Sequence, residues 1–153
     1  MWVPDDDDDP IVLQEPTRSH TSVFGAVNIA TGQFVYQMSD VFNAVTFLDF
    51  LKYLVSFQTH SKKIYLILDN SRYHHANLLK PWLNHHKHEI ILEFLPPYSP
   101  QLNPIERVWK ETRRKATHNR YFPDIPSLVE AVQTQFSVWS TPNESLANLC
   151  SIS

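Results

Sequence analysis

The sequence predicts a mixed α/β domain, in which helices flank a β-sheet. Residues 22–29 and 33–38 are rich in β-forming residues, and "ATG" between them is typical of a hairpin turn in which Gly32 supplies a positive φ. Ile64–Leu68 is a continuous apolar run, as in a strand buried on both faces. Between these strands, apolar residues recur at the spacing of an amphipathic helix, and they are Ala44, Phe47, Leu48, Leu51, Leu54 and Val55.

The remaining segments complete the predicted order of elements. Because a helical segment separates the two strands that follow the first helix, we expect these strands to be parallel. The acidic, proline-bounded residues 1–20 are predicted to be a loop or tail, and residues 21–149 to form the folded core. The other predicted elements are helices at residues 74–87, 104–117 and 125–137 and a strand at residues 89–95.

Composition limits the possible functions. A chain of 153 residues, 42% of them hydrophobic, is long and apolar enough for one globular domain. With a net charge of −3, any nucleic-acid contact has to come from a local basic patch. Two glycines cannot build a phosphate-binding loop of the P-loop or G-x-G-x-x-G type. A single cysteine, an acidic N-terminus and no apolar run near 20 residues predict a cytoplasmic protein without a membrane partner.

Two acids stand where α/β sheets carry their sites, at or just after the carboxyl ends of strands. Asp69 directly follows Ile64–Leu68, and Glu106 begins the helix that comes after the next strand. Each also has a structural interpretation. Asp69 suits a turn, and Glu106 suits a helix start with Asn103 as N-cap and Pro104 as the first helical residue. Structural and metal-binding roles therefore both stay open.

Basic residues follow Glu106 on the same predicted helix. Glu106, Lys110, Arg113 and Thr117 share one face. A carboxylate with cations along its face suits Mg²⁺ bound against a phosphate backbone, although a solvated helix face is the alternative. Four prolines within residues 96–104 restrict the loop that precedes Glu106. The inward stripe of this helix is predicted to consist of Ile105, Val108, Trp109, Thr112 and Ala116.

Two segments carry a resemblance to a known family. "LILDNSRYHHA" and "LEFLPPYSPQLNPIERVWKETRRK" resemble the catalytic core of DDE transposases, in the bacterial insertion-sequence branch related to the mariner elements. The resemblance covers residues 2–149, and its block "PPYSPQLNPIERVW" is highly specific. It implies a ribonuclease H-like fold, two Mg²⁺ or Mn²⁺ ions, DNA as the partner and contact with other transposase subunits. It also implies hydrolysis at transposon ends and joining of the 3′ hydroxyl to target DNA.

By this resemblance, Asp69 is the second acid of the catalytic triad and Glu106 the third. The family's first acid ends the first strand of the sheet, upstream of the position that Trp2 matches. We therefore expect the chain to lack that strand and acid, and to be inactive unless an upstream segment supplies them. Residues 5–9, all aspartates, are not expected to replace the acid, because no apolar strand precedes them.

The predicted function is a transposase catalytic domain that is incomplete in this chain. The alternative is a non-enzymatic remnant that binds DNA or full-length transposase. His74 is predicted to contact substrate phosphate or to orient Asp69, with a polar helix start as the structural alternative. Zinc is not expected, since no cysteine accompanies the histidines. The predicted DNA-binding residues are Lys110, Arg113, Arg114, Lys115 and His74.

Overall fold

The computed structural model describes residues 2–4, 12–14, 20–57 and 62–151. Within these residues the strands are β1 (Trp2–Pro4), β2 (Val12–Gln14), β3 (His20–Asn28), β4 (Phe34–Ser39), β5 (Ile64–Leu68) and β6 (Ile90–Phe94). The α-helices are α1 (Ala44–Val55), α2 (Lys80–His85), α3 (Ile105–Thr112), α4 (Ile125–Val138) and α5 (Glu144–Leu149).

All six strands form one mixed sheet. β4 pairs with one edge of β3, while β1 and β2 pair with the other edge, each antiparallel to β3. β1 also pairs in parallel with β5 through Trp2 and Leu66, and β5 pairs in parallel with β6. The order across the sheet is therefore β4, β3, β1 with β2, β5 and β6, and the predicted parallel pair is confirmed.

The N-terminal residues differ from the prediction. β1 occupies the centre of the sheet between β3 and β5, so the expectation that the first strand is missing is wrong. The prediction of loop or tail for residues 1–20 is likewise wrong at β1 and β2, whereas residues 5–9 lie outside the described residues. Runs of three residues are too short for periodicity to reveal, and here the partners on both sides create the strand. The boundary at residue 20 stays a prediction.

Side chains of β3 alternate between two apolar clusters, one on each face of the sheet. Val23 and Val27 face the cluster built with α3, α4 and α5. Phe24 and Ala26 face the cluster built with α1 and the region of α2. Helices therefore cover both faces, as the mixed α/β prediction requires.

Several elements depart from the predicted bounds. The helix predicted at residues 74–87 begins only at Lys80, after two short 3₁₀ turns. α3 ends at Thr112, and residues Arg113–Thr117 form a wider π-helical turn. β5 is central, but Tyr65 is 44% exposed, so this strand is not buried on both faces along its whole length. In the part of the chain that the structure describes, no helix combines the length and the apolar character needed to span a membrane.

Candidate active site

Asp69 directly follows β5 and is held by hydrogen bonds from the turn that begins there. The Ser71 backbone N–H and hydroxyl donate to Asp69 Oδ1 at 3.1 and 2.8 Å. His74 Nδ1 lies 3.1 Å from the same oxygen and 3.1 Å from the Asp69 backbone oxygen. These contacts hold the carboxylate in one orientation at the carboxyl end of a central strand.

His74 is buried, with 1% of its surface exposed. Its ring packs against Phe47 and Tyr73 at centroid distances of 4.5 Å. Because both neighbours of Nδ1 are oxygen acceptors of Asp69, Nδ1 carries the ring proton and donates it. Of the two roles predicted for His74, this position favours orienting Asp69. The DNA contact predicted for His74 stays a prediction, although the ring is buried in this structure.

The surroundings of Asp69 keep its carboxyl group charged. Burial raises its pKa, but the hydrogen bonds from His74 and Ser71 outweigh burial and lower the pKa from 3.8 to about 2. Since the folded-state pKa is depressed, the carboxylate contributes stability that is present above pH 3.8 and is lost as the pH falls toward about 2.

Replacing His74 with Ala should therefore raise the pKa of Asp69 toward or above 3.8, because burial then acts with less opposition. The change should be visible in a ¹³C NMR titration of the Asp69 carboxyl carbon. His74→Asn is the matched variant, since its side-chain amide can replace Nδ1 as donor, and its Asp69 pKa should stay closer to the native value. An unchanged Asp69 pKa in His74→Ala would contradict the assigned role of the ring.

Glu106 lies half-buried in the first turn of α3. The Glu106 N–H donates to the Asn103 backbone oxygen at 3.1 Å, and the buried Asn103 side chain accepts from the Ile105 N–H at 3.3 Å. Pro104, rather than Asn103, occupies the N-cap position, although the Asn103 side chain still caps the helix start. The predicted inward stripe of α3 and the turn after it is confirmed, since all five of its residues are buried.

Contacts between loops connect the surroundings of the two acids. The Asn70 side chain donates to the Leu95 backbone oxygen at 2.6 Å, and the Leu95 N–H donates to the Leu68 backbone oxygen at 2.8 Å. The loop after β6 thus begins beside Asp69 and continues to the start of α3. Ile67, two residues before Asp69, packs against the cluster that contains Ile105. That both carboxylates bind one ion stays a prediction.

One contact that supports this site was not predicted from the sequence. Arg107 Nη1 donates to the backbone oxygens of Leu149 and Ser151, at 3.1 and 3.0 Å. It therefore joins the first turns of α3, where Glu106 lies, to the carboxyl end of α5. α5 itself is short and was not predicted, and its Asn143 N-cap was the available signal.

The predicted basic residues of α3 and the turn after it are all exposed, and they are Lys110, Arg113, Arg114 and Lys115. Arg114 donates to Glu111, with Nε at 3.2 Å from Oε2, and Lys115 Nζ lies 3.7 Å from Glu111 Oε1. The hydrogen bond from Arg114 lowers the pKa of Glu111, so Glu111 partly neutralises these two cations.

The donor chemistry of Asp69 and Glu106 fits a divalent ion that prefers oxygen ligands. Mg²⁺ sites use one or two carboxylates and complete the shell with water or substrate phosphate. The charged, oriented Asp69 meets that requirement. Among the residues described, no group of three or more His, Cys, Asp or Glu side chains could hold a metal ion.

This sheet order, with helices on both faces, is that of a ribonuclease H-like fold. The fold is similar to that of the Mos1 mariner transposase catalytic domain, with a TM-score of 0.72 and 16% identity over 97% of this chain and 74% of that one. Residues 1–129 match the family described as DDE superfamily endonuclease. The chain therefore belongs to the DDE superfamily endonucleases, which confirms the resemblance found in the sequence.

Two curated relatives match parts of this chain in sequence. The uncharacterized protein y4pE/y4sA of Sinorhizobium fredii is 44% identical over 64 residues, which are 42% of this chain and 44% of that protein. The insertion element IS630 uncharacterized 39 kDa protein of Shigella sonnei is 28% identical over 110 residues, 71% of this chain and 32% of that protein. The chain thus spans less than half the length of either relative.

Proposed function

We propose that this chain is the catalytic domain of an insertion-sequence transposase, which cleaves DNA at transposon ends and joins the 3′ ends to target DNA. The main observation behind this proposal is that His74 and Ser71 keep the Asp69 carboxylate charged and oriented at the carboxyl end of β5. The IS630 relative and the Mos1 fold support a role in transposition. DNA is the proposed partner, and contact with other transposase subunits and a cytoplasmic location remain predictions.

In this proposal, Asp69 and Glu106 bind Mg²⁺ or Mn²⁺ and orient the phosphate that reacts. Divalent ions held there would supply positive charge for the attacking and leaving oxygens of the phosphate. Ile67, two residues before Asp69, packs against the cluster that contains Ile105, one residue before Glu106, which supports placing the two acids near each other. His74 is the positioning residue that holds the Asp69 carboxylate.

A third carboxylate is part of the proposal, because a two-ion site needs more ligands than two acids supply. A segment upstream of Met1 is one predicted source of this acid. Residues 5–9 were not expected to supply it because no strand was predicted before them, but β1 ends at Pro4, directly before Asp5 in the sequence. β1 is parallel to β5, which ends directly before Asp69, and parallel strands bring their carboxyl ends to one edge. Residues 5–9 are therefore a second candidate source.

An oligonucleotide cleavage assay with Mg²⁺ or Mn²⁺ tests the proposed function and distinguishes the two candidate sources of the third carboxylate. The substrates are duplexes that carry the ends of the insertion sequence. If the acid lies upstream, only a chain extended by the codons before Met1 should cleave them. If it lies in residues 5–9, this chain should cleave, and changing all five aspartates to Asn should abolish cleavage. No cleavage by either chain would contradict the enzymatic proposal and favour a non-enzymatic DNA-binding remnant.

We also expect Lys110 and Arg113 to bind the DNA backbone. Because the net charge is −3, binding should be weak and should fall steeply with salt. Changing both residues to Ala should weaken duplex binding and reduce the magnitude of the log–log salt slope by about 1.8, the effect of two lost phosphate contacts. Fluorescence anisotropy over a series of salt concentrations measures both quantities.

Arg114→Ala is the informative comparison, because Glu111 already neutralises part of its charge. Its effect on the salt slope should be smaller than that of Lys110→Ala. Lys52→Ala, an exposed change near the end of α1, should leave the slope unaltered. Equal slopes for the native chain and the double variant would rule out this patch.

A further inference from the structure

A cavity of about 390 Å³ lies between α2, the turn that precedes it and β6. This volume is within the range of sites that hold small organic ligands. α2 and its end contribute Lys80, Leu83, Asn84 and Lys87, which lie three or four residues apart and so share one helix face. Leu83, Ile90 and Leu92 make much of the surface apolar.

The cavity adjoins the candidate active site. His74, which binds Asp69, is one of its lining residues. The neighbouring His75 places Nε2 3.2 Å from Asn70 Oδ1, and Asn70 directly follows Asp69. A DNA strand with its reacting phosphate at Asp69 therefore passes close to this opening.

An aromatic pair lines the end of the cavity nearest to Asp69. The rings of His75 and Phe94 stack with centroids 4.0 Å apart and an interplanar angle of 22°. Phe94 is 38% exposed although it is large and apolar. Exposed aromatic rings beside a cationic groove are the usual platform on which unpaired bases stack.

The charge of the lining favours an anionic ligand. Lys80 and Lys87 contribute two cations, and no aspartate or glutamate is found among the described residues that line the cavity. A flat apolar surface combined with cations matches a nucleotide, which joins an aromatic base to a phosphate. In a duplex both faces of each base are covered by stacking, so the ligand has to be unpaired.

We infer that this cavity binds an unpaired nucleotide of the DNA strand that flanks the reacting phosphate. This inference rests on the proposed function, because that function makes DNA the ligand. It adds which part of the DNA this cavity binds. The base stacks on the exposed side of the Phe94–His75 pair, while Lys80 and Lys87 contact the adjoining phosphates. The enzyme therefore prefers DNA that is frayed or single-stranded next to the cleaved position.

The test is binding of a fluorescent single strand of roughly ten nucleotides, within the site sizes of single-strand binding domains, measured with all divalent metal chelated. The native chain should bind this strand more tightly than a duplex of equal length. Phe94→Ala should weaken single-strand binding roughly tenfold, the effect of one lost stacking contact. Lys80→Glu and Lys87→Glu should weaken it as well without removing apolar packing, which covers the case of a Phe94 variant that folds poorly.

Tyr121→Ala and Lys52→Ala are matched controls, an exposed aromatic residue and an exposed lysine that do not line the cavity, and both should bind like the native chain. Native binding by Phe94→Ala and both lysine variants would overturn the inference. So would binding of an extended acidic peptide, but not of the single strand, at this cavity. Because the binding assay needs no metal, its result is independent of the metal-dependent cleavage that tests the proposed function. Loss of cleavage in Asp69→Asn together with native binding by the cavity variants would leave the proposed function intact and reject only this site.

Discussion

Asp69→Asn and Glu106→Gln should each lower the rate of metal-dependent DNA cleavage by at least about a hundredfold. Changes to residues that only orient metal ligands already reduce affinity or activity by roughly 10- to 100-fold, so loss of a ligating carboxylate should exceed that. Both substitutions keep the size of the side chain and remove its charge. The measurement is the single-turnover cleavage rate of whichever chain is active, this one or the chain extended upstream.

Metal affinity separates a catalytic role from a structural one. Asp69→Asn should weaken Mn²⁺ binding, measured by calorimetry, while far-ultraviolet circular dichroism stays native. Asp49→Asn on α1 and Glu130→Gln on α4 make the same chemical changes at exposed positions and should leave cleavage unaltered. If Glu106→Gln cleaved at the native rate, Glu106 would be a helix-start residue only, and the metal-binding proposal for it would be wrong.

Trp109→Ala should destabilise the fold by about 3–5 kcal/mol, the usual effect of removing a large buried aromatic side chain. Trp109 is fully buried on α3 and makes edge contacts with Phe34 on β4 and Phe136 on α4, at centroid distances of 5.7 and 6.2 Å. Its ring also lies directly over Gly25 of β3, where a Cβ atom would overlap it. The indole therefore holds α3, and with it Glu106, against the sheet.

For a domain of this size the expected loss corresponds to a fall in melting temperature of roughly 6–20 °C, measurable by calorimetry. Trp109→Phe should have a smaller effect because it keeps much of the apolar volume. Gly25→Ala tests the same contact from the sheet side and should also destabilise, since the added Cβ would overlap the fully buried indole. If the melting temperature of Trp109→Ala lay within a degree or two of the native value, other contacts would have to hold α3 against the sheet.

Local patterns in the sequence were sufficient for the elements with strong periodicity. The apolar run at Ile64–Leu68 gave the strand bounds that the structure has, and the buried stripe on α3 followed from helical spacing. The family and the fold followed from a specific proline-rich block, which the match over residues 1–129 confirms. These features depend on residues close together in the chain, where period and turn chemistry are directly readable.

Other features depended on partners that are distant in sequence. β1 is three residues long and exists because β3 and β5 pair with it from both sides, which no local pattern reveals. The role of His74 depends on its burial against Phe47 and on its contact with Asp69. From the sequence, contact with a DNA phosphate and orientation of Asp69 were both possible roles. The cavity beside β6 is likewise formed by α2 and a strand that follows it. By itself the sequence determined the family, the central strand β5 and the inward face of α3. Only the tertiary structure decided what fills the centre of the sheet and what holds Asp69, because both depend on contacts between separate elements.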